Sequence, residues 1–377
     1  MKSLWTATVA ASLLVLAGAA TARADERFVA FGDSITEGKG DESDGGGYPP
    51  RLADLLTTSS NAVVVENEGL GGETTAEGLS RLSSIQGAAA DSIIIMEGAN
   101  DLFQDISIET IAANLVAMET KAGQRGFGKV YLSTTTPMGS TPFGSMFLDS
   151  IRLAERVREE HYGRGWLMPD PHQAFYDLPN TFEDYFTFDE FHPNAAGYDE
   201  LAAIFADYIE GIDSLAPAFN FGIPQPGGDT IPSDSLLYVI LFDPLAGVDQ
   251  TDPKILVNGN AVATTVSGDP QRTVLQAHPG NLVGDLELGV DASDRASPPN
   301  RRNQRITKFK AVSSKFITGD VNQDRRVDGG DLVILAIAFG SSKGDARYDA
   351  RVDFDGSERV DGIDLAQLAA NFGRSSS

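Results

Sequence analysis

The stretch that decides the fold covers residues 28–38 and reads Phe-Val-Ala-Phe-Gly-Asp-Ser-Ile-Thr-Glu-Gly. Its first four residues form a short apolar run, which is typical of a buried strand. The run stops at Gly32-Asp33-Ser34, where a small residue, an acid and a hydroxyl follow one another. Ligands bind at the carboxyl ends of the strands in open α/β sheets. Ser34 is therefore the candidate nucleophile at that edge.

A serine hydroxyl needs a base within hydrogen-bond reach, and that base usually needs an acid to orient it. The chain has only four histidines, and one of them, His192, follows Asp189 within a short loop sequence. An acid three residues before a histidine can share one side of a turn with it and fix the imidazole tautomer. His192 and Asp189 are accordingly the candidate partners of Ser34.

Two further polar segments follow apolar runs between the serine and the histidine. Gly72 comes after the run at residues 63–65, and Asn100 comes after the run at residues 93–96. Each segment would place a backbone N–H or a side-chain amide just past a strand. Donors in that position could stabilise a developing oxyanion.

Four such blocks in this order resemble the SGNH (GDSL-type) hydrolase superfamily, over about residues 27–212. The blocks are Gly32-Asp33-Ser34, Gly72, Gly98-Ala99-Asn100-Asp101 and Asp189-Glu190-Phe191-His192. The resemblance implies a triad with Ser34 as nucleophile, His192 as base and Asp189 as orienting acid. It also implies an oxyanion hole made of the Ser34 N–H, the Gly72 N–H and the Asn100 side chain. The alternative is a pseudoenzyme that kept the fold alone.

Composition limits the classes of function. The net charge of −25 and the pI near 4.4 argue against nucleic-acid binding, which needs a basic face. Cysteine is absent, which excludes disulfides and thiolate metal sites within this sequence. At 377 residues the chain is longer than one ordinary domain, so two or three are expected.

The N-terminus is typical of a secretory signal peptide. Lys2 precedes an apolar stretch at about residues 9–20, which ends in Ala22-Arg23-Ala24. This pattern predicts a signal peptide at residues 1–24 and an exported mature protein without a membrane span. An uncleaved anchor helix is the alternative.

Strands and helices alternate over residues 27–212, which predicts a parallel sheet with helices on both faces. With the resemblance, this implies a flavodoxin-like three-layer α/β/α domain at residues 25–214. The predicted strands are 27–31, 63–66, 92–97, 129–133 and 166–168. The predicted helices are 50–57, 75–85, 108–124, 146–160 and 194–212.

Residues 215–315 are interpreted as a linker and a β-sandwich. The linker, at 217–232, is rich in proline and glycine, and Asn258-Gly259 is a strong hairpin signal. The segment resembles bacterial immunoglobulin-like modules, which are usually spacers. A carbohydrate-binding sandwich is the alternative, but it would need more exposed aromatic residues than Tyr238 and Phe242 could supply. The predicted strands are 235–242, 254–257, 261–266, 273–276, 285–291 and 306–312.

The C-terminal segment, residues 316–377, carries an internal repeat that starts at Asp320 and again at Asp353. Oxygen ligands at positions 1, 3, 5, 9 and 12 of a loop, with a carbonyl at position 7, suit calcium. The first loop offers Asp320, Asn322, Asp324, Asp328 and Asp331 with the carbonyl of Arg326. The second offers Asp353, Asp355, Ser357, Asp361 and Asp364 with the carbonyl of Arg359. An acidic surface repeat is the alternative.

The repeat resembles a type I dockerin, a small all-α module that docks onto cohesin modules of a scaffold or cell surface. The resemblance implies two structural calcium ions, and the serine chemistry needs no cofactor. Dockerin loops usually have glycine at position 6, where this chain has Arg325 and Glu358. A left-handed backbone is therefore expected to be strained there. The middle module is expected to separate this tail from the hydrolase.

The sequence thus predicts an exported serine esterase on a modular chain. The Gly-Asp-Ser-Ile-Thr-Glu-Gly block together with a dockerin-like tail resembles plant-polysaccharide acetylesterases, which favours deacetylation of xylan or a related glycan. A lipase, lysophospholipase or thioesterase with a longer acyl pocket is the second reading. A non-catalytic module for cell-surface binding or adhesion is the alternative from another class.

Overall fold

The computed structural model describes residues 26–43, 45–139, 146–226, 230–280, 282–312, 317–322 and 326–375. The predicted signal peptide at residues 1–24 and the predicted calcium ligand Asp324 lie outside these ranges. Within them, no helix combines the length and the apolar character that a membrane crossing requires.

A four-stranded parallel sheet forms the centre of the N-terminal part. Its strands are β1 (Glu26–Gly32), β2 (Val63–Gly69), β3 (Ser92–Met96) and β4 (Lys129–Leu132). The order is β2-β1-β3-β4, so the stretch that opens the sequence is an interior strand. The fifth predicted strand is reduced to a single parallel bridge between Tyr131 and Leu167. This bridge lies beside β4, where a fifth strand of a flavodoxin-like sheet would stand.

Helices cover the sheet in two groups. The helix α2 packs against α9 and β2, whereas α3 and α6 pack against α5. The predicted three-layer α/β/α class is thereby confirmed. The helices are α1 (Ser34–Glu37), α2 (Tyr48–Leu56), α3 (Thr75–Arg81), α4 (Ala99–Phe103), α5 (Ile108–Gln124), α6 (Met146–Arg164), α7 (Pro171–Asp177), α8 (Thr181–Tyr185) and α9 (Ala195–Glu210).

Two further sheets, with the orders β10-β11-β7-β5 and β6-β13-β12-β8-β9, form the β module. All neighbouring strands in them are antiparallel except β6 and β13. The resemblance to immunoglobulin-like modules stays a prediction. The strands are β5 (Ala218–Ile223), β6 (Thr230–Pro232), β7 (Leu237–Phe242), β8 (Lys254–Val257), β9 (Asn260–Ala261), β10 (Thr264–Asp269), β11 (Arg272–Ala277), β12 (Gly284–Ser293) and β13 (Arg301–Val312).

The linker predicted at residues 217–232 is wrong over β5. All six residues of β5 are buried, and the strand pairs antiparallel with β7. Proline and glycine flank the strand, but the alternating Phe219, Phe221 and Ile223 fill the core of the β module. Tyr238 and Phe242 are buried in the same core, so neither supplies the exposed aromatic surface that a carbohydrate-binding sandwich would need.

A buried guanidinium connects the hydrolase part to the β module. The Nε of Arg158, on α6, donates to Asp170 Oδ2 at 2.7 Å, and its Nη1 donates to the carbonyl of Phe219 at 3.0 Å. A buried charge is tolerated when it is paired and its donors are used. Ile151, also on α6, packs into the core of the β module.

The C-terminal repeats form two helices, α10 (Gly329–Ala338) and α11 (Gly362–Asn371), over a small apolar core. The expectation that the middle module separates this tail from the hydrolase is wrong. Arg359 Nη1 donates to Glu109 Oε1, on α5, at 2.6 Å.

Candidate active site

The carboxyl end of β1 places Ser34 at the edge of the parallel sheet. A side chain on Gly32 would collide with Thr36 and with the Met96 carbonyl oxygen, so only glycine fits where the strand ends. The chain then turns at once into α1, because Asp33 Oδ1 accepts a hydrogen bond from the Ile35 N–H at 2.9 Å. Ser34 is the first residue of that helix and is buried.

The structure brings the three predicted triad residues together. Ser34 Oγ lies 2.9 Å from His192 Nε2, and His192 Nδ1 lies 2.7 Å from Asp189 Oδ2. Both distances are within hydrogen-bond range, in the order hydroxyl, imidazole, carboxylate. This arrangement allows His192 to accept a proton from the serine while Asp189 fixes its tautomer.

The loop that carries Asp189 orients the carboxylate with several donors. Thr187 Oγ1 donates to Asp189 Oδ1 at 2.6 Å, and the N–H groups of Phe191 and His192 donate to the same oxygen, each at 2.9 Å. The other oxygen is left for the imidazole. Sequence reasoning missed the contribution of Thr187, whose bond to Asp189 joins two side chains; only the bonds from backbone N–H groups to an Asp follow a known local pattern.

Glu190 holds the tight turn between the acid and the histidine. Its φ of 53° lies in the left-handed region, which is uncommon for a residue other than glycine. The Gly139 N–H donates to the Glu190 carbonyl at 2.8 Å and fixes that conformation from a separate segment. Backbone strain of this kind occurs at functional sites, where the surrounding structure maintains it.

The surroundings of Asp189 and His192 shift the pKa of both side chains. Burial raises the pKa of Asp189, but hydrogen bonds from His192, Thr187 and two backbone N–H groups outweigh it and hold this pKa well below its usual range. Burial lowers the pKa of His192. Asp189 opposes that shift and Lys39 adds to it. Asp189 is therefore ionised and His192 neutral near neutral pH, as a general base requires.

The three predicted oxyanion donors lie at the same strand edge. Gly72 has a φ of +83°, a conformation that glycine adopts without cost. Among the hydrogen bonds of the described residues, none comes from the N–H of Gly72 or of Ser34. Asn100 Nδ2 donates to the Glu73 carbonyl at 2.9 Å, which leaves the second hydrogen of the amide for another acceptor.

A buried polar network fixes the segments around Gly72 and Asn100. Arg81 Nη2 donates to the buried Glu73 at 2.6 Å, and the guanidinium lies 4.0 Å from the centre of the Phe31 ring. Asp101 Oδ2 accepts from the Thr75 N–H at 2.8 Å. The contacts of Arg81 with Phe31 and of Asp101 with Thr75 connect residues 26 or more positions apart, so no local pattern could have predicted them.

The second C-terminal loop fits a hard cation. One carboxylate oxygen from each of Asp353, Asp355 and Asp364 lies within 4.8 Å of the other two. Asp355 Oδ2 is buried and has no hydrogen-bond partner among the described residues. At position 6, Glu358 has a φ of 63°, so the backbone is left-handed there and the condition for the expected strain is met. Ser357 lies beside these acids, and its N–H donates to Asp355 at 3.0 Å.

The last acid of each loop is held within the fold itself. Asp331 and Asp364 are buried, and each accepts backbone N–H groups from the start of its own loop: Val321 and Asn322 in the first, Phe354 in the second. They also complete capping boxes at the helix starts with the position-9 acids, Asp328 and Asp361. In the first loop Asp320 is buried, and the backbone of Arg326 forms an isolated antiparallel β-bridge with that of Ser375.

Comparisons with known proteins agree with this geometry. Residues 30–200 match the GDSL-like lipase/acylhydrolase family, and residues 318–372 match the dockerin type I domain. The chain therefore carries a GDSL hydrolase domain and, at its C-terminus, a type I dockerin domain.

Individual relatives cover the hydrolase part. An arylesterase of Vibrio mimicus is 28% identical over 139 residues, which are 36% of this chain and 69% of that protein. A lipase/acylhydrolase structure from Enterococcus faecalis is 28% identical with a TM-score of 0.41, over 49% of this chain and 96% of the other. An acetylxylan esterase structure from Geobacillus stearothermophilus is 20% identical with a TM-score of 0.40, over 49% and 94%.

His192 should titrate below its ordinary pKa of 6.5, because burial disfavours the charged ring. Lys39→Met should raise that pKa, since the Lys39 charge lowers it. The measurement is an NMR pH titration of the histidine rings, with the His192 signal assigned by its loss in His192→Gln. The exposed Lys129→Met is the matched control and should leave the pKa unchanged. A His192 pKa above 6.5, or no response to Lys39→Met, would contradict the described electrostatics.

Proposed function

We propose that the chain is a serine carboxylesterase with Ser34 as its nucleophile. The observation that carries the proposal is the continuous hydrogen-bonded series from Ser34 Oγ through His192 to Asp189. A hydroxyl so placed can lose its proton to Nε2 as Oγ attacks an ester carbonyl. The match to the GDSL hydrolase family and the arylesterase relative support ester cleavage.

The proposed reaction has two steps, acylation and deacylation of Ser34, and the donors at the strand edge act in both. The carbonyl oxygen becomes an oxyanion that accepts from the N–H groups of Ser34 and Gly72 and from Asn100 Nδ2. The imidazolium of His192 then protonates the leaving alcohol, and an acyl-enzyme on Ser34 remains. Water next attacks the acyl group while His192 takes its proton, and collapse of the second tetrahedral intermediate releases the acid.

The proposed substrate class is acetylated plant polysaccharide, of which xylan is the first choice. Support comes from the dockerin domain, a module that places enzymes on scaffolds, and from an aromatic side chain at the site. Phe188 directly precedes Asp189, and its side chain is 98% exposed. An aromatic ring held in solvent offers a flat apolar face, against which the C–H face of a sugar ring can pack.

The proposal for the tail is that its two loops each bind a structural calcium ion and that the domain docks onto a cohesin-bearing scaffold or cell-surface protein. In the second loop, the unpartnered oxygen of Asp355 and the three converging carboxylates support a cation there. The ion would neutralise the carboxylates and fix the start of each helix. Docking onto such a scaffold would require the protein to be exported, and we propose an extracellular location.

Ser34→Ala should lower the rate of aryl acetate hydrolysis by at least about 10³-fold, because it removes the hydroxyl that would carry the acyl intermediate. The measurement is kcat/KM on a chromogenic acetate, with unfolding curves recorded in parallel. Ser60→Ala, the same substitution at an exposed position, should leave the rate unchanged. Activity near wild type in Ser34→Ala would exclude this serine as nucleophile.

Phe188→Ala should raise KM for acetylated xylan by about 5–10-fold and leave kcat on a small aryl acetate within about twofold, because only the polymer reaches the ring. Rates should be measured on aryl esters from acetyl to octanoyl and on acetylated xylan. Phe339→Ala, at an exposed position in the dockerin repeat, is the matched control. A preference for octanoyl over acetyl esters would indicate a lipase or thioesterase instead.

Asp355→Asn should weaken calcium binding to the second loop by at least about tenfold, because it removes a buried carboxylate oxygen from the ligand set. Calorimetry of the full chain should show a lower unfolding temperature for the tail and an unchanged esterase rate at 25 °C. Asp349→Asn, in an exposed ion pair of the same module, is the matched control. Equal calcium affinity in the two variants would exclude Asp355 as a ligand.

A further inference from the structure

Three carboxylates from separate segments meet where the hydrolase part joins the β module. Asp213 follows α9, Asp243 follows β7 and Asp294 follows β12. One oxygen from each lies within 4.8 Å of the other two. Asp243 and Asp294 are buried, and Asp213 is half-buried. None of the three belongs to the active site or to the C-terminal loops.

One oxygen of this cluster has no N–H or hydroxyl donor. Asp243 is only 3% exposed, and its Oδ1 accepts from the N–H groups of Leu245 and Gly247 at 3.2 and 2.9 Å. Its Oδ2 is buried and accepts from no N–H or hydroxyl group within the described part of the chain, and the Asp213 carboxyl lies close enough to share a proton with Asp243. A buried carboxylate oxygen normally has a donor or a metal ion, so this one indicates a ligand.

The other two carboxylates are held by neutral donors. Asp294 Oδ1 accepts from the Asn300 N–H at 2.8 Å, and Asp213 Oδ2 accepts from the Ala246 N–H at 2.9 Å. Asn300 Nδ2 also donates to Asp294 Oδ2 and to the carbonyl of Asp213, which links the two parts of the chain.

Within the described part of the chain, no Lys, Arg or His forms an ion pair with the cluster. Three like charges at this separation in a poorly solvated site repel one another strongly. The backbone nevertheless directs all three carboxylates to one point, and a cation or a shared proton would have to offset the repulsion.

We propose that Asp213, Asp243 and Asp294 bind a divalent cation, of which calcium fits best, and that this ion joins the hydrolase domain to the β module. Calcium takes six to eight oxygens at 2.3–2.6 Å, so two ligands on one ion lie no more than about 5 Å apart. The three oxygens satisfy that condition, since each lies within 4.8 Å of the other two. Magnesium demands a smaller, near-octahedral set, which three carboxylates held by backbone donors match less well.

The neighbouring cavity has room for the remaining ligands. It has a volume of about 50 Å³ and is lined by Asp213, Asp243, Ser214 and other residues of both parts. Asp294 does not line this cavity, so the space adjoins the cluster on the side of Asp213 and Asp243. That space can hold a few water molecules, which would complete a coordination sphere that has three protein oxygens. The ion would thus be structural, with its protein ligands taken from both sides of the junction.

The test compares Asp243→Asn with Asp252→Asn in the full chain, since Asp252 lies in an exposed ion pair of the same module. Bound calcium per chain is measured after equilibrium dialysis against about 5 mM calcium. Asp243→Asn should bind one ion fewer than Asp252→Asn, irrespective of what the C-terminal loops bind. If Asp243→Asn does not fold, Asp213→Asn, at a half-buried position, takes its place. Equal stoichiometry in variant and control would overturn the proposal.

A second readout separates a cation from a shared proton. The temperature at which half the esterase activity is lost should fall by about 5 °C when calcium is removed from the wild type. In Asp243→Asn this calcium response should be smaller than in Asp252→Asn, because only the C-terminal loops then contribute to it. Without calcium, the temperature for Asp243→Asn should be no lower than that of the wild type, since one of the repelling charges is gone. A calcium response equal to that of Asp252→Asn would contradict the cation, as would a wild-type protein that does not respond at all.

Discussion

The position of β1 in the middle of the parallel sheet is the constraint on which the rest of the site depends. The strand pairs with β2 on one side and β3 on the other, and its residues from Phe28 onward are buried. Because all strands of the sheet run in the same direction, the carboxyl ends of β1, β2 and β3 meet at one edge. The segments that carry Ser34, Gly72 and Asn100 follow those three strands, so sheet order alone gathers nucleophile and oxyanion donors.

The same constraint explains why the fold of the N-terminal part could be predicted. Strongly periodic elements such as α5 were predicted with their observed bounds, and the buried strands were found from their apolar runs. Short helices such as α4 and α7 were missed, because five to seven residues contain too little periodicity. The strand β5 was missed because flanking prolines and glycines, which are loop signals, outweighed a run of only six residues.

The reacting residues of the candidate site could be predicted from the sequence, but the tertiary contacts that keep them in position could not. Ser34, His192 and Asp189 stand in recognisable local sequences, and the structure brings them together. The Arg81–Glu73 pair and the bond from Gly139 to the turn at Glu190 depend on tertiary packing. The same holds for the contact between Arg359 and Glu109, through which the dockerin domain touches the hydrolase. Such contacts have no signature in a single sequence.

The proposed function depends on covalent acylation of Ser34, which a serine-directed fluorophosphonate probe can detect. After the full chain is incubated with the probe, digestion and mass spectrometry locate the added mass. We expect one probe group on the peptide that contains Ser34 and greatly slowed labelling in His192→Ala, because the hydroxyl then lacks its base. Full loss of esterase activity with the probe on another residue, or with none on Ser34, would contradict the proposed function.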